Sequence, residues 1–275
     1  MKLRLSNLFV RLMVVAVWAA ISSVAFAAPE SEIQEFWMAH DEQSTIEVSH
    51  QAWQDLLDKH LDDDHESGVN RFDYSAVDDA DRKLLDGYLD ALQAVDPRTL
   101  ARDEQLAYWI NFYNALTAQV VVDEYPVSSI RKIRFLTSPF GPWDKNLVSV
   151  QGKKLSLNDI EHGILRPIWK DPRIHFAVNC ASIGCPNLAG EAFTAENSDD
   201  LMDEAASDFI NHSRGVEIQG DTLVLSSIFD WYGGDFGNNE AEIVAYIAQY
   251  FDGDTSQLNA LSNFEYQYDW DLNKP

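Results

Sequence analysis

One long segment with a broad apolar face, Asp103 to Glu124, constrains the fold of this chain most strongly. The side chains that form this face recur every three or four residues, at Leu106, Trp109, Ile110, Tyr113, Leu116, Thr117 and Val120. This spacing predicts an amphipathic helix, which Pro126 would end just beyond Glu124. Because so wide an apolar face must be covered by other elements, we expect this helix at the centre of the fold.

Further helices and a few short strands are predicted around this central helix. Helical spacing and capping signals mark Ser31 to Leu61, Asp78 to Val95, a helix that Ser156 or Asn158 would cap and that runs to Pro167, Asp199 to Asn211 and Glu240 to Phe251. Extended patterns mark Arg173 to Asn179, a hairpin over Val216 to Leu225, and Phe264 to Trp270. Long helices with short strands between them indicate an α+β fold, a mainly helical single domain with a small, mostly antiparallel sheet. We expect the central helix to pack against the Arg173 to Asn179 strand.

The N-terminus has the pattern of a secretory signal peptide. Three basic residues precede an apolar run from Leu12 to Val24, and the run is followed by small residues at Ala25 and Ala27. Because the run is short for a membrane span, we expect cleavage after Ala27 and no stable membrane insertion afterwards. The sequence therefore predicts a periplasmic or secreted protein with a signal peptide over residues 1–27, an N-terminal helical annex over 28–67 and one domain over 68–275.

The acidic composition restricts the partners of this protein. The formal net charge is −25, and loss of the three basic residues of the signal peptide would make it −28. Nucleic acids and anionic membranes select for basic protein surfaces, so we expect neither as a partner. The sequence contains no phosphate loop, dinucleotide fingerprint or serine elbow, and it predicts no cofactor. The expected ligand is a small molecule, a peptide or a protein.

Both cysteines of the chain lie in one segment, His175 to Pro186, which reads HFAVNCASIGCP. A pair of thiols near an imidazole is typical of a structural disulfide, a redox pair, a metal clip or a nucleophile oriented by a base. An exported protein can retain a disulfide, and Cys180 and Cys185 could form one if their Cα atoms came within about 7 Å. The residues alone leave these four interpretations open.

Two polar pairs on predicted helices are further candidate site residues. Asn111 and Asn114 lie three positions apart on the central helix, so their amides project from neighbouring positions. They would either tether a loop backbone or line a polar pocket. His162 and Arg166 lie four positions apart and share one helix face, where they could hold a carboxylate or a backbone carbonyl.

Five blocks in order resemble the domain-of-unknown-function 547 family, DUF547. They are Asp73-Tyr74, Tyr108 to Ala115, Leu157 to Arg166, His175 to Pro186 and Trp231 to Phe236, within a stretch from about Gly68 to Phe251. The resemblance implies an exported, bacterial-type member of this family. It also implies that the polar residues of the blocks belong to one centre, made of His162, Arg166, His175, Asn179, Cys180, Cys185 and Asp235, with Asn111 and Asn114 beside it. The family is defined by its sequence, and the resemblance implies no particular reaction.

One hypothesis for this centre is a cysteine hydrolase or acyl transferase. Cys180 or Cys185 would attack an acyl carbon after losing its proton to His162 or His175. Asn179, Asn111 or Asp235 would orient the imidazole or donate a hydrogen bond to the oxyanion. Cys180 is the preferred nucleophile, because the end of the predicted strand would hold it rigidly. In this hypothesis Asn111, Asn114, Arg166, Cys185 and Asp235 contribute to binding.

Two other hypotheses use the same residues without acyl chemistry. In the first, the protein is a non-catalytic binding or interaction module that a Cys180–Cys185 disulfide staples, with the Asn, His and Arg side chains as a structural polar network. In the second, a zinc ion is bound by Cys180, Cys185, His162 and His175, although the spacing of these ligands is loose.

Overall fold

A computed structural model describes residues 30–136, 138 and 141–275. The predicted signal peptide, residues 1–27, lies outside the described residues. In this part of the chain, none of the helices is long and apolar enough to cross a membrane.

The fold is α+β and mainly helical, as the sequence predicts. Its α-helices are α1 (Gln51–His60), α2 (Asp79–Ala94), α3 (Arg102–Glu124), α4 (Leu157–Ile160), α5 (Arg166–Trp169), α6 (Ile174–Ala177), α7 (Ser198–Asn211), α8 (Ile228–Trp231), α9 (Gly233–Phe236), α10 (Glu240–Ile247) and α11 (Thr255–Ala260). A π-helical turn, Glu161–Leu165, joins α4 to α5, and three 3₁₀ turns lie at Glu35–Trp37, Pro97–Thr99 and Ile130–Lys132.

Three small sheets accompany the helices, and their pairing is mostly antiparallel. The strands are β1 (Leu61–Asp62), β2 (Arg71–Phe72), β3 (Val148–Val150), β4 (Lys153–Leu155), β5 (Val216–Gln219), β6 (Thr222–Ser226) and β7 (Asn263–Gln267). The pairs β1–β2, β3–β4 and β5–β6 are antiparallel, and β5–β6 is the predicted hairpin around Gly220. The last strand, β7, joins the edge of β6 in parallel, with Leu225 opposite Tyr266.

The central helix, α3, is buried on nearly every side. Trp109 and Tyr113, from its predicted apolar face, are buried, and so are Asn111 and Asn114. The helix therefore lacks a solvent face over most of its length, which is how a helix at the centre of a core is covered. It belongs to the larger of two apolar clusters, which also contains Trp37 and Trp53 from the N-terminal residues 30–67.

The short helix α6 lies where the two apolar clusters meet. Its Ile174 and Ala177 belong to the cluster around α3, whereas Phe176 belongs to the second cluster with Phe209 and Phe229. Elements from both halves of the core therefore converge on the segment that leads into the two cysteines. This junction positions the candidate functional site.

The predicted strand over Arg173 to Asn179 is wrong, because residues 174–177 form α6. Asp171, Pro172 and Arg173 form the turn that starts the helix, and the Asp171 carboxylate accepts a hydrogen bond from the Arg173 amide. Residues 174–177 are all buried. Alternation of apolar and polar residues predicts a strand when one face of the segment is exposed. In a segment that is buried on both sides, the same alternation does not distinguish a strand from a helix.

The helix that carries His162 and Arg166 also differs from its prediction, since it continues past Pro167 to Trp169. Its middle turn, Glu161–Leu165, is π-helical, and the Arg166 amide donates to the Glu161 carbonyl five residues earlier. Pro167 then lies in the first turn of α5, a position at which a helix tolerates a residue without a backbone N–H. Such widened turns are frequent at functional sites.

Replacing Ser156 by Ala is expected to lower the free energy of unfolding by about 1 kcal/mol. Ser156 caps α4, because its hydroxyl accepts from the Asp159 amide at 3.1 Å and the Asp159 carboxylate accepts from the Ser156 amide at 2.9 Å. Urea unfolding measures the effect. The exposed Ser149 in β3 is the matched control, and equal losses for Ser156→Ala and Ser149→Ala would contradict the capping role.

Candidate functional site

The two cysteines lie on a tight turn that the C-terminal segment holds in place. The Cys185 amide donates to the Ser182 carbonyl at 3.1 Å, and Ala181 adopts a left-handed conformation with φ 59°. The Ile183 and Gly184 amides both donate, at 2.8 Å, to the Asp271 and Asp269 carbonyls of the C-terminal segment. A Cβ on Gly184 would come within 2.7 Å of the Asp269 nitrogen, so only glycine permits this close approach.

The Cys180 sulfur is surrounded by hydrogen-bonding groups, which we call the thiol cluster: Cys180, Ser182, Cys185 and Tyr268. Cys180 is half-buried, and its Sγ lies 3.1 Å from the Ser182 hydroxyl and 3.0 Å from the Tyr268 hydroxyl. Cys185 is buried, and its Sγ accepts from the Cys180 amide at 3.0 Å. Both thiols are free, so the disulfide of the stapled-module hypothesis is not formed in this structure.

The two thiols differ in their acidity. Hydrogen bonding from the Cys185 thiol is the main influence that lowers the pKa of Cys180; burial opposes it, and the Ser182 and Tyr268 hydroxyls assist it. Burial raises the pKa of Cys185 well above its ordinary value. Because a thiolate is the reactive form of cysteine, Cys180 is the more readily activated thiol of the pair, and Cys185 holds its proton more firmly.

A second group of polar residues, the imidazole cluster, consists of Glu161, His162, Arg166, His175 and Asp235. The Asp235 Oδ2 atom accepts from Arg166 Nε at 2.6 Å and from His175 Nε2 at 2.7 Å. Arg166 Nη1 lies 3.0 Å from His162 Nδ1, so the predicted shared face of these two residues is present. One carboxylate thus fixes both a guanidinium and an imidazole from different segments.

Burial and charge set the ionisation of the imidazole cluster. Burial raises the pKa of Asp235, but the hydrogen bonds from His175 and Arg166 outweigh it and hold this pKa well below its ordinary value. Burial lowers the pKa of His162, and the Arg166 charge lowers it further against the opposing charge of Glu161. His162 is therefore neutral at pH 7. His175 Nδ1 is buried without a hydrogen bond, 3.8 Å from Glu161 Oε1.

The two clusters are joined through consecutive residues of the Trp231 to Phe236 block. Trp231 packs on Tyr268 of the thiol cluster, with ring centroids 4.8 Å apart. Tyr232 stacks on His175 of the imidazole cluster at 4.1 Å, and Arg166 lies over the same ring at 4.9 Å. The polar residues of the blocks therefore form two neighbouring clusters. The Trp231 ring contacts the thiol cluster, and the Tyr232 ring contacts the imidazole cluster.

The predicted bond between a cysteine and an imidazole is wrong. Among the described residues, the hydrogen-bond partners of the Cys180 sulfur are the Ser182 and Tyr268 hydroxyls, whereas His175 is bound to Asp235 and His162 to Arg166. The one-turn helix α6 points His175 toward Asp235, and the chain turns away before Cys180. Within the same described ranges, no three His, Cys, Asp or Glu side chains are placed to hold a metal, so the zinc arrangement is not formed either.

The three asparagines hold the backbone and do not orient an imidazole. Asn111 bonds both polar groups of the Phe193 backbone, and Asn114 joins the Ala177 carbonyl to the Asn179 amide. The Asn179 side chain accepts from the Ala181 amide at 2.7 Å and donates to the Pro186 carbonyl at 2.8 Å, which closes the cysteine turn. Asn114 and Asn179 therefore set the shape of the cysteine turn, whereas Asn111 holds the backbone at Phe193.

A pocket of about 410 Å³ lies beside the imidazole cluster, between the helix of His162 and the N-terminal residues 30–34. The Glu32 and Gln34 amides donate to the His162 and Gly163 carbonyls at 3.1 and 2.9 Å, so this segment is fixed along the π turn. The polar residues in the pocket wall include Glu30, Glu32, Gln34, Asp144, Asp159 and His162. A concave site with convergent polar groups is where a small ligand would bind.

Sequence analysis missed four residues of this site: Glu161, Ser182, Tyr232 and Tyr268. Glu161 and Tyr232 lie inside the family blocks, directly beside His162 and Trp231, so the blocks themselves contained a signal for them. Ser182 lies between the cysteines and could have been recognised as a hydroxyl donor. Tyr268 lies 88 positions from Cys180, and nothing in its surroundings predicts the contact.

A comparison with known proteins bears on three of the five blocks. Residues 97–210 match the family described as a protein of unknown function, DUF547. The matched residues contain the blocks from Tyr108, Leu157 and His175, whereas Asp73-Tyr74 and Trp231 to Phe236 lie outside them. Searches of curated proteins and of solved structures gave no significant match. The match therefore supports the resemblance to DUF547 over residues 97–210.

Proposed function

We propose that this protein is an exported, bacterial-type DUF547 member that acts as a cysteine hydrolase or acyl transferase, with Cys180 as its nucleophile. The observation that carries the proposal is the environment of the Cys180 sulfur, which is half-buried with two hydroxyls within 3.1 Å and the Cys185 thiol beside it. Hydrogen-bond donors around a sulfur favour the thiolate, which attacks acyl carbons. The signal-peptide pattern at residues 1–27 supports a periplasmic or secreted location.

In the proposed reaction, the Cys180 thiolate attacks the carbonyl carbon of an ester, amide or thioester. The leaving group departs and the acyl group remains on the sulfur, until water or a second acceptor removes it. The Ser182 and Tyr268 hydroxyls hold the thiolate before attack, so activation does not need an imidazole in contact with the sulfur. They are also the nearest donors for the developing oxyanion.

The imidazole cluster has a supporting role in this proposal. The adjacent residues Trp231 and Tyr232 connect it to the thiol cluster, and the neutral His162 lies in the wall of the adjoining pocket. The His162 Nε2 atom has no hydrogen-bond partner among the described residues, so it can serve a bound substrate. We assign His162 to substrate binding, and Asp235 to fixing Arg166 and His175.

One observation favours a second candidate, the non-catalytic binding module stapled by a disulfide. The Cys185 sulfur lies only 3.0 Å from the Cys180 amide, so the two thiols of this short turn are neighbours. In such a module, both cysteines would contribute to stability and neither would react with an acyl donor.

Acetylation by 4-nitrophenyl acetate, followed by the mass of the intact reduced protein, tests the enzyme. We expect one acetyl group on Cys180 in the natural protein and in Cys185→Ser. Because the nucleophile is absent in Cys180→Ser, its acetylation at pH 7 should be at least about 100-fold slower. Tyr268→Phe should shift the pH dependence of acetylation upward, because losing a donor raises the pKa of Cys180.

The melting temperatures of the same variants separate the two candidates. If the protein is the proposed enzyme, the melting temperature of Cys180→Ser is expected to be close to that of the natural protein. If the protein is the stapled module, Cys180→Ser and Cys185→Ser are expected to lower the melting temperature equally. Each variant loses a cross-link that contributes at most about 3 kcal/mol to the free energy of unfolding. Equal losses together with no acetylation of the reduced natural protein would rule out the enzyme.

A further inference from the structure

We infer that Cys180 and Cys185 also form a dithiol–disulfide exchange centre that acts on accessible peptide disulfides. This inference rests on the nucleophile of the proposed function, and it adds a second attack, by the Cys185 sulfur, that acyl chemistry does not use. Three features of the described residues support it: the unequal exposure of the two thiols, their separation, and the way in which the turn is held.

The two sulfurs have the asymmetry that an exchange centre needs. Cys180 is half-buried and can meet an external disulfide, whereas Cys185 is only 5% exposed and cannot. Hydroxyls and the neighbouring thiol lower the pKa of Cys180, while burial raises that of Cys185. The outer sulfur therefore attacks first, and the inner sulfur remains protonated until an adduct forms beside it.

The cysteine turn keeps the two sulfurs within reach of one another. Cys185 Sγ accepts from the Cys180 amide at 3.0 Å and lies 3.8 Å from the Val178 carbonyl oxygen, to which its thiol donates. The Asn179 side chain closes the turn between residues 179 and 186, and the C-terminal segment fixes Ile183 and Gly184 from outside. A small rotation of either side chain can bring the sulfurs to bonding distance without unfolding the turn.

The exchange takes place in two balanced steps. The Cys180 thiolate attacks one sulfur of a peptide disulfide; a Cys180–peptide disulfide forms, the original bond breaks, and the other peptide leaves as a thiolate that takes up a proton. Cys185 then loses its proton and attacks the Cys180 sulfur, which releases the second peptide as a thiol and leaves a Cys180–Cys185 disulfide. The substrate disulfide is reduced by two electrons, and the protein dithiol is oxidised by two.

Glutathione disulfide, a small peptide disulfide, tests this centre in the reduced full-length protein. We expect the natural protein to lose the mass of two hydrogen atoms and to release two glutathione thiols without keeping an adduct. Cys185→Ser should stop after the first step and retain one glutathione on Cys180. Cys180→Ser should react at least about 30-fold more slowly, because its remaining thiol is buried and protonated.

Three outcomes would overturn the exchange centre. They are a lasting glutathione adduct on the natural protein, equal reactivity of Cys180→Ser and Cys185→Ser, and a Cys180–Cys185 disulfide that dithiothreitol cannot reduce in the folded protein. The last outcome would identify a structural staple. Failure of the proposed function is a separate result, because acetylation of the reduced natural protein by 4-nitrophenyl acetate is measured without any disulfide, whereas the exchange centre is judged by the intramolecular disulfide and the released glutathione.

Discussion

Replacing Asn114 by Ala is expected to lower the free energy of unfolding by about 4 kcal/mol and to slow the acetylation of Cys180. The Asn114 amide group donates to the Ala177 carbonyl at 2.9 Å, and its oxygen accepts from the Asn179 amide at 2.8 Å. Both partners are buried, and each unsatisfied buried group costs about 1–3 kcal/mol. Because these bonds fix the entry to the cysteine turn, their loss should loosen the donors around the sulfur. Urea unfolding and the acetylation rate measure the two effects.

Asn111→Ala is the matched control for this prediction. Asn111 lies one helical turn earlier on α3, is equally buried, and makes two similar bonds to the backbone of Phe193. Its replacement should cost a similar free energy of unfolding without changing the reactivity of Cys180, because Phe193 does not contact the cysteine turn through these bonds. If both variants slow acetylation equally, Asn114 acts on global stability and not on the turn.

Replacing Asp235 by Asn is expected to cost about 3 kcal/mol of unfolding free energy at pH 7. The Asp235 carboxylate is the acceptor for Arg166, whose side chain is 8% exposed, and for His175, whose side chain is 2% exposed. An amide oxygen in the place of Oδ2 can still accept from both donors, but it carries no full negative charge. The Arg166 charge then loses the Asp235 carboxylate, which is costly in a buried position.

The loss of stability in Asp235→Asn is expected to become smaller as the pH falls. The pKa of Asp235 is lower in the folded protein than in the unfolded chain, where it is about 4. The stabilisation is therefore fully present above about pH 4 and is lost as the pH falls through the folded pKa, so the natural protein and Asp235→Asn should converge in acid. Asp230→Asn, at an exposed carboxylate in α8, is the control and should change little. Equal stabilities of the natural protein and Asp235→Asn at pH 7 would contradict the pairing.

Much of the helical framework was predictable from local sequence. The spacing of apolar residues predicted both ends of α2, α3 and α7 to within one residue. Each helix packs against the core through apolar side chains that recur about every 3.6 residues. The caps at Asp78 and Ser156 mark helix starts for a local reason as well, since the bonds that satisfy the first amides come from the same turn.

The segments around the site were less predictable, because burial removes the periodic signal. Residues 174–177 are all buried, so their alternation of Ile and Phe with His and Ala reports no exposed face, and the strand prediction fails there. Pro167 is a helix terminator by its chemistry, but the preceding π turn places it where no N–H is required. In both cases the surrounding structure outweighs the local preference.

The residues of the site were recognisable in the sequence: two cysteines on one turn, with His162, Arg166, His175 and Asp235 in the same or neighbouring blocks. Their pairing depends on the packing of segments that are distant in the chain. His175 and Cys180 are five positions apart, yet the imidazole binds Asp235, 60 positions away, and the sulfur binds Tyr268, 88 positions away. Hydrogen bonds of this kind depend on where distant segments pack, and local spacing does not encode that arrangement. Cys180 was therefore recognisable in the sequence as a candidate nucleophile, and the hydroxyls beside its sulfur were not.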